Sequence, residues 1–154
     1  MSETVIIFLA TRLYFLVLLG GAIFALLIPK TKQVKLGWIT FFTLPLSFIL
    51  SRVVSYLYFN PRPFVSHDFD PLIFHVADNG FPSDHMLLVS VISMIVYTFN
   101  KPIGIGLIVL SVLVGLGRVL SGVHHLLDIL GSFVIAVSVV YLVHLFFNRY
   151  NNKN

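Results

Sequence analysis

Long apolar stretches separated by short polar turns constrain the fold of this chain more than any other feature. Five stretches approach or exceed the roughly 20 residues that a membrane-spanning helix needs. They run over Val5–Ile28, Leu36–Phe59, Pro82–Phe99, Ile103–Leu120 and Leu126–Phe147. Hydrophobic residues make up 58% of the 154 residues and charged residues 10%, which is typical of an integral membrane protein and leaves no length for a separate soluble domain. The sequence therefore predicts one domain over residues 1–154, an all-α polytopic bundle of about five transmembrane helices.

Charged residues gather at opposite ends of this five-helix arrangement. One end holds the basic residues Lys30, Lys32, Lys35, Lys101, Arg149 and Lys153. The other end holds the acidic residues Glu3, Asp68, Asp70, Asp78, Asp84 and Asp128. Because lysine and arginine collect at cytoplasmic ends, we expect the acidic end to face outward from the cell membrane. The net charge of +4 then reflects topology, and no soluble basic face is predicted to bind nucleic acid.

The longest connection, residues 64–82, is predicted to lie at the outer end and to hold a short interfacial helix. Loops this long in a compact chain are usually functional or contain an element of their own. Asp70-Pro71 has the pattern of a helix N-cap followed by proline, which predicts a helix over about Leu72–Ala77. His67 and His75 in the same loop are interpreted as interfacial surface residues rather than ligands.

Arg118, His124 and Asp128 lie in or beside a stretch that is otherwise apolar enough to enter a bilayer. Ionisable groups at such depth are costly and usually face a cavity. His124 and Asp128 are four positions apart, so on a helix the carboxylate can accept a proton from the imidazole. The other imidazole nitrogen is then free to act as base, nucleophile or ligand. A polar pair that only joins two helices is the alternative, and the nearby arginine favours a site.

Two further segments place chemistry-bearing residues at the same predicted membrane face. Arg62 stands between two prolines, which force extended backbone and hold the guanidinium stiffly. Ser83 or Asp84 can cap the helix that follows, and the free amides of its first turn attract anions. His85 follows directly within that helix, and helix capping gives no reason for an imidazole at this position. The topology thus brings three distant segments together.

These residue types together suit the binding and transfer of a phosphate group. Arginine forks match phosphate oxygens, and helix amides complete the cradle. One imidazole can accept the phosphoryl group while a second protonates the leaving oxygen. A metal site formed by His85, His124 and Asp128 is disfavoured because the two arginines repel a cation. A hydrolase with Ser83 as nucleophile is disfavoured because adjacent residues of a helix turn cannot form a nucleophile–base–acid line.

The chain resembles the type 2 phosphatidic acid phosphatase superfamily in three ordered signature motifs. These are Arg62-Pro63, Pro82-Ser83-Asp84-His85 and Arg118-x5-His124-x3-Asp128. The Ser-Asp-His form of the middle motif looks most like that of the bacterial bacitracin-resistance undecaprenyl pyrophosphate phosphatases. The resemblance implies a membrane phosphatase that acts on undecaprenyl or another polyprenyl diphosphate without a metal or other cofactor. Phosphatidic acid and phosphatidylglycerophosphate are the alternative substrates.

The resemblance also implies a role for each motif residue. His124 would attack phosphorus and form a phosphohistidine, and Asp128 would orient it. His85 would protonate the leaving group and then activate water. The phosphate oxygens would be held by Arg62, Arg118, Ser83 and the amide of Asp84.

Three features leave alternatives open. The family motif has a lysine where Ser55 stands, and Arg52, one turn earlier, is the better substitute for it, with Arg12 the poorer. The family also has serine at the position of Gly117. These departures keep open a non-catalytic member that binds a lipid phosphate. His125 is three positions before Asp128 and is not excluded by geometry, although the spacing from Arg118 favours His124 as the nucleophile.

Overall fold

The computed structural model describes residues 1–151, so Lys153, assigned above to the basic end, lies outside the described residues. This part of the chain is almost entirely helical, with short connections and one long loop. The helices are α1 (Glu3–Thr11), α2 (Leu13–Leu27), α3 (Lys30–Leu57), α4 (Pro63–Ser66), α5 (Asp84–Phe99), α6 (Lys101–Leu120) and α7 (Leu126–Asn151). The predicted all-α membrane bundle is therefore confirmed.

Four helical segments are long and apolar enough to cross a membrane. They are Glu3–Leu27, which combines α1 and α2, Lys30–Leu57, Lys101–Leu120 and Leu126–Arg149. The third predicted span, Pro82–Phe99, corresponds to α5, which is apolar but has only 16 residues. At 1.5 Å per residue it is about 24 Å long, less than the roughly 30 Å of a hydrocarbon core. The bundle thus consists of four full-length spans and one shorter helix.

Helix α5 forms the centre of the bundle. It packs against α2, α3, α6 and α7, and its buried residues point in several directions rather than along one stripe. A helix that is apolar all round is typically enclosed by others. Val89 and Val91 of α5 and Val114 of α6 are among the residues with at most 1% exposure. The position of the α5 N-terminus is consequently fixed from all sides.

The long loop differs from its sequence-based prediction. Residues Leu72–Ala77 are not helical, and the only helix of this connection in residues 1–151 is α4, which begins with a proline at its first position. The backbone N–H of Leu72 donates to the carbonyl of Ser121 at 3.0 Å, so the amide that Asp70 was expected to cap is bound to the α6–α7 turn instead. In that turn Gly122 has φ +79°, and the ring of Phe69 packs over its Cα.

The two ends of the bundle differ in charge, as predicted for the residues that are described. At the basic end, Lys35 at the start of α3 donates to the side-chain oxygen of Asn148 in α7 at 2.6 Å. At the opposite end, Arg52 near the end of α3 pairs with Asp84 at the start of α5. The long loop and the α6–α7 turn also lie at this end, opposite to the basic end.

Candidate active site

A buried histidine and aspartate form the centre of the site. His124 lies in the α6–α7 turn, and Asp128 lies in the first turn of α7. Nδ1 of the imidazole is 3.3 Å from Oδ2 of the carboxylate, and the two side chains are 3% and 0% exposed. The carboxylate also accepts hydrogen bonds from Asn60 Nδ2 at 2.7 Å and from the backbone N–H of His125 at 2.8 Å. Asp128 is therefore held by three donors and fixes the orientation of the His124 ring.

The neighbouring His125 faces a different part of the molecule. Its Nε2 is 3.1 Å from the carbonyl oxygen of Pro61, and its ring is nearest that of His67, with centroids 6.3 Å apart. Its backbone, not its ring, contacts Asp128. Of the two histidines that the sequence left open, the structure brings only the ring of His124 to the carboxylate.

Two arginines converge on the nitrogen of His124 that faces away from Asp128. Arg62 NH1 is 3.3 Å and Arg118 NH2 is 3.5 Å from His124 Nε2. Their residues are 5% and 3% exposed. Arg62 is extended (φ −63°, ψ 152°), as the prolines around it predict, and also donates to the carbonyl of Val123 at 2.9 Å. Asp78 pairs with Arg62 only, and two buried positive charges this close to each other are unfavourable, so this arrangement favours binding of an anion beside Nε2.

The protonation state of His124 follows from these surroundings. Burial lowers the pKa of His124 to about 4; Arg118 and Arg62 act in the same direction, and the hydrogen bond to Asp128 opposes them. A histidine whose pKa is lowered is neutral above that value. Near pH 7 the ring is therefore uncharged, with Nδ1–H donating to the carboxylate and a lone pair on Nε2.

The N-terminus of α5 meets this cluster. Ser83 is the N-cap residue of α5 by backbone position, but its hydroxyl makes no capping hydrogen bond. It is 0% exposed, and Oγ has no hydrogen-bond partner within the described chain. The backbone N–H of Ser83 donates to the carbonyl of Asp128 at 3.4 Å, and its carbonyl accepts from Ser132 Oγ at 2.9 Å. A buried hydroxyl without a partner is costly, and a bound anion would satisfy it.

The remaining predicted site residues lie further out. His85 is half-buried and packs edge-on against Tyr14 of α2, with ring centroids 4.9 Å apart, while the charges of Arg118 and His124 act on it electrostatically. The side chain of Asp84 is exposed and pairs with Arg52. The Arg52 guanidinium also lies 4.9 Å from the centroid of the Phe48 ring. The role of Arg52 as a substitute for the motif lysine stays a prediction.

Three loop residues that the sequence analysis missed hold the site together. Asp78 Oδ1 accepts from Nε of Arg62 at 2.7 Å. The side chain of Asn79 accepts from the backbone N–H of Asn60 at 2.9 Å and donates to the carbonyl and hydroxyl of Ser55 at 2.9 and 3.1 Å. Asn60 in turn donates to Asp128, as described above. The available signal was the density of polar residues around Arg62 and in the loop of an otherwise apolar chain.

The position of Gly117 has a steric explanation. A Cβ atom at this residue would lie 2.6 Å from the backbone nitrogen of Ala10 and 2.7 Å from the carbonyl carbon of Leu9. The backbone of α1 therefore occupies the space that a serine would need, as is common where membrane helices approach closely. The other departure, Ser55, anchors the loop through Asn79. Arg12 is exposed at the break between α1 and α2.

The alternative metal site is not formed by these side chains. Within residues 1–151, no three histidine, cysteine, aspartate or glutamate side chains are grouped so that they could hold a metal ion. His124 and Asp128 contact each other, while His85 packs against an aromatic ring on α2. The groups that surround Nε2 of His124 are the positively charged guanidiniums of Arg62 and Arg118, which suit an anion rather than a metal cation.

Fold and site define an integral membrane protein with a buried cationic pocket around a histidine–aspartate pair. The profile of the PAP2 superfamily matches residues 36–152, and the chain belongs to this superfamily. The resemblance noted from the three motifs is thereby confirmed.

Two relatives and one solved structure carry names that bear on function. The chain is similar to undecaprenyl-diphosphatase BcrC of Bacillus subtilis (strain 168), with 38% identity over 94 residues, which cover 61% of this chain and 49% of the relative. It is 31% identical over 138 residues to bacitracin transport permease protein BcrC of Bacillus licheniformis, covering 89% of this chain and 68% of the relative. The chain thus spans about half the length of the first relative.

The solved structure is described as the first transmembrane PAP2 type phosphatidylglycerolphosphate phosphatase from Bacillus subtilis. It superimposes with a TM-score of 0.61 and 25% sequence identity, covering 96% of this chain and 75% of that one. Nearly all of the present chain therefore follows the fold of a transmembrane PAP2 protein.

Proposed function

We propose that this protein is a metal-independent membrane phosphatase that hydrolyses undecaprenyl diphosphate or a similar polyprenyl diphosphate through a phosphohistidine at His124. One observation carries the proposal. Two buried guanidinium groups approach the free nitrogen of a histidine whose other nitrogen faces a buried carboxylate. Membership of the PAP2 superfamily supports a phosphatase reaction, and the name of the Bacillus subtilis relative, undecaprenyl-diphosphatase BcrC, supports the substrate class.

In the first step the phosphoryl group is transferred to the imidazole. Arg62, Arg118 and the hydroxyl of Ser83 hold the phosphate oxygens, and Nε2 of His124 attacks phosphorus. The N–P bond forms as the bridging P–O bond breaks, and the electron pair leaves with the bridging oxygen. The negative charge of the bound substrate favours the protonated form of His85, which donates its proton to that oxygen. Asp128 stabilises the positive charge on the phosphorylated ring.

In the second step water releases the phosphate. His85, now neutral, accepts a proton from a water molecule that attacks phosphorus. The N–P bond breaks, its electron pair returns to Nε2, and inorganic phosphate is set free. The arginines stabilise the charge on the transferred group, so the proposed reaction needs no metal ion.

A direct test uses purified protein in detergent with EDTA. We expect phosphate release from undecaprenyl diphosphate and an acid-labile, alkali-stable phosphoenzyme. His124→Ala should abolish both, whereas His125→Ala should retain turnover because that ring is directed toward Pro61. Turnover that persists in His124→Ala but not in His125→Ala would reverse the choice of nucleophile. Lipid-phosphate binding without any turnover would identify a non-catalytic member instead.

A second substrate class is supported by the solved structure with a TM-score of 0.61, which is named a phosphatidylglycerolphosphate phosphatase. Phosphatidylglycerophosphate and phosphatidic acid present a phosphate to the same cationic pocket. Comparing kcat/KM for these two lipids and undecaprenyl diphosphate decides between the classes. A higher value for a diacyl lipid phosphate would replace the polyprenyl assignment.

We also propose that the site faces outward from the cell membrane. The distribution of lysine supports this orientation, because the described lysines, Lys30, Lys32, Lys35 and Lys101, all lie at the end opposite to His124. The chain contains no cysteine, so a maleimide can label only the cysteine that is introduced. Phe74→Cys in the loop, where the residue is 93% exposed, should react with an impermeant maleimide on intact cells. Lys30→Cys at the basic end should react only after permeabilisation, and the reverse pattern would overturn the orientation.

A further inference from the structure

The loop between α4 and α5 brings a third imidazole to the site. The ring centroid of His75 is 6.1 Å from that of His124, with the ring planes 73° apart. The charges of Arg62, Arg118 and Asp78 all act on His75, and His75 in turn acts on His85. The sequence did not predict that His75 lies beside His124; it does so because the loop folds back over the α6–α7 turn, where the N–H of Leu72 donates to the carbonyl of Ser121.

The backbone on both sides of His75 is held in place. Before it, the N–H of Leu72 donates to the carbonyl of Ser121 at 3.0 Å. After it, Asp78 pairs with Arg62 at 2.7 Å and Asn79 binds the backbone of Asn60. The loop can therefore present His75 at a defined place beside the phosphate pocket.

The position of His75 differs from that of the residues proposed to hold the transferred phosphoryl group. Arg62, Arg118 and His124 are 5%, 3% and 3% exposed, whereas His75 is only partly buried. Its one hydrogen bond in the described chain is a long contact of 3.4 Å between Nδ1 and the carbonyl of Val76. His75 thus lies on the exposed side of the cluster, between Phe74 and Val76, which are 93% and 61% exposed, and its Nε2 makes no hydrogen bond in the described chain.

We expect a substrate to extend from the buried arginines toward this exposed side. The transferred phosphorus lies about 3–3.5 Å from the attacking nitrogen in a reactive complex. In an in-line attack the bridging oxygen lies opposite Nε2, and the rest of the substrate extends beyond it. With the two rings only 6.1 Å apart, His75 is within reach of the group attached to that oxygen. In a diphosphate, the next oxygens toward the exposed side belong to the second phosphate.

We propose that His75 is a substrate-binding residue that contacts the second phosphate of a diphosphate, the one that departs with the lipid. This inference rests on the proposed phosphatase function. When the bond from the transferred phosphorus to the bridging oxygen breaks, its electron pair passes to the lipid monophosphate. His75 donates a hydrogen bond to this phosphate as its charge increases, which favours a diphosphate over a monophosphate.

The electrostatic surroundings are consistent with this role. Burial lowers the pKa of His75, and Arg62 and then Arg118 lower it further, while Asp78 opposes them. Because a nearby anion favours the charged form of an imidazole, a bound diphosphate would promote protonation of His75 and strengthen the hydrogen bond.

The test compares two substrates that share one tail, farnesyl diphosphate and farnesyl monophosphate. His75→Gln should lower kcat/KM for the diphosphate about tenfold and for the monophosphate less than about twofold, the scale of one charge-assisted hydrogen bond. His75→Lys should recover part of the diphosphate activity because it restores a charged donor. His67→Gln is the matched control, since His67 lies in the same loop and neighbours His125 rather than His124.

The outcomes separate the inference from the function on which it rests. Equal losses for both substrates, or no loss for the diphosphate, would overturn the role of His75 while leaving the phosphatase intact. Absence of turnover by the wild type would refute the proposed function itself. If the wild type hydrolyses only the diphosphate, the farnesyl diphosphonate and monophosphonate serve as competitive inhibitors, and weaker inhibition of His75→Gln by the diphosphonate alone is the expected result. Equal weakening by both would again overturn the inference.

Discussion

At the basic end of the bundle, α2 and α3 diverge and leave an apolar cavity of about 520 Å³, which Phe24, Leu36 and Ile92 help to line. At the opposite end, a loop and two helix ends are joined by hydrogen bonds between charged and amide side chains. The first region depends on apolar contacts that tolerate gaps, particularly in a membrane where lipid can occupy them. The second holds charges whose unpaired burial is costly, so its polar groups must be placed closely. The difference predicts that substitutions at the polar end affect activity more than substitutions at the basic end.

The largest effect is expected for the carboxylate at the centre of the site. Asp128→Asn removes the charge that orients His124 and that, in the proposed mechanism, stabilises its phosphorylated form, so kcat should fall on the order of 10³-fold or more. The measurement is phosphate release from undecaprenyl diphosphate at saturating substrate. Thermal unfolding in detergent should show a folded variant. If the kcat of Asp128→Asn equalled that of the wild type, the role assigned to this residue would be contradicted.

The same chemical change at the two ends sharpens the comparison. Asn60→Ala removes the hydrogen bond to Asp128 and should lower kcat about 10- to 100-fold, because the carboxylate and the His124 ring lose a fixed orientation. Asn148→Ala removes the hydrogen bond from Lys35 at the basic end and should leave kcat within about twofold.

A change in KM with unchanged kcat for Asn60→Ala would indicate a role in substrate binding instead. Equal loss of kcat in Asn60→Ala and Asn148→Ala would refute the predicted difference between the two ends.

Restoring the motif serine at Gly117 tests the contact between α1 and α6. Gly117→Ser should destabilise the protein by about 1–3 kcal/mol, because the new side chain collides with the backbone of Leu9 and Ala10. Gly106→Ser in the same helix is the control, since a Cβ there has no atom within 4 Å. Thermal unfolding of both variants in the same detergent gives the answer. A more stable Gly117→Ser protein would show that α1 packs differently.

The smallest effect is expected beside the apolar cavity. Gly37→Ala adds a methyl group where no atom lies within 4 Å and replaces a poor helix former inside α3, so stability should rise by up to about 1 kcal/mol. Phosphate release should be unchanged, because this position lies at the basic end. Reduced turnover without loss of stability would show that the two ends are coupled.

Much of this protein is determined locally in its sequence. The apolar stretches predict the helices, because a membrane leaves a backbone few alternatives. The prolines around Arg62 predict its extended conformation, and the spacing of His124 and Asp128 predicts their contact, which the structure contains. The charge pattern predicts which helix ends lie together. Each of these inferences depends on neighbouring residues or on the bilayer, so no tertiary contact had to be known.

The tertiary structure decided what depends on residues far apart in the chain. Asn60 reaches Asp128 across 68 positions, and no local pattern connects the two residues. The segment Leu72–Ala77, which carries His75, was predicted to be helical and is not. The N–H of Leu72 donates instead to the carbonyl of Ser121 in the α6–α7 turn. The choice between His124 and His125 depends on which ring the arginines reach. The need for glycine at position 117 depends on the path of α1. Such features arise from packing and hydrogen bonding between distant segments, which local sequence does not encode.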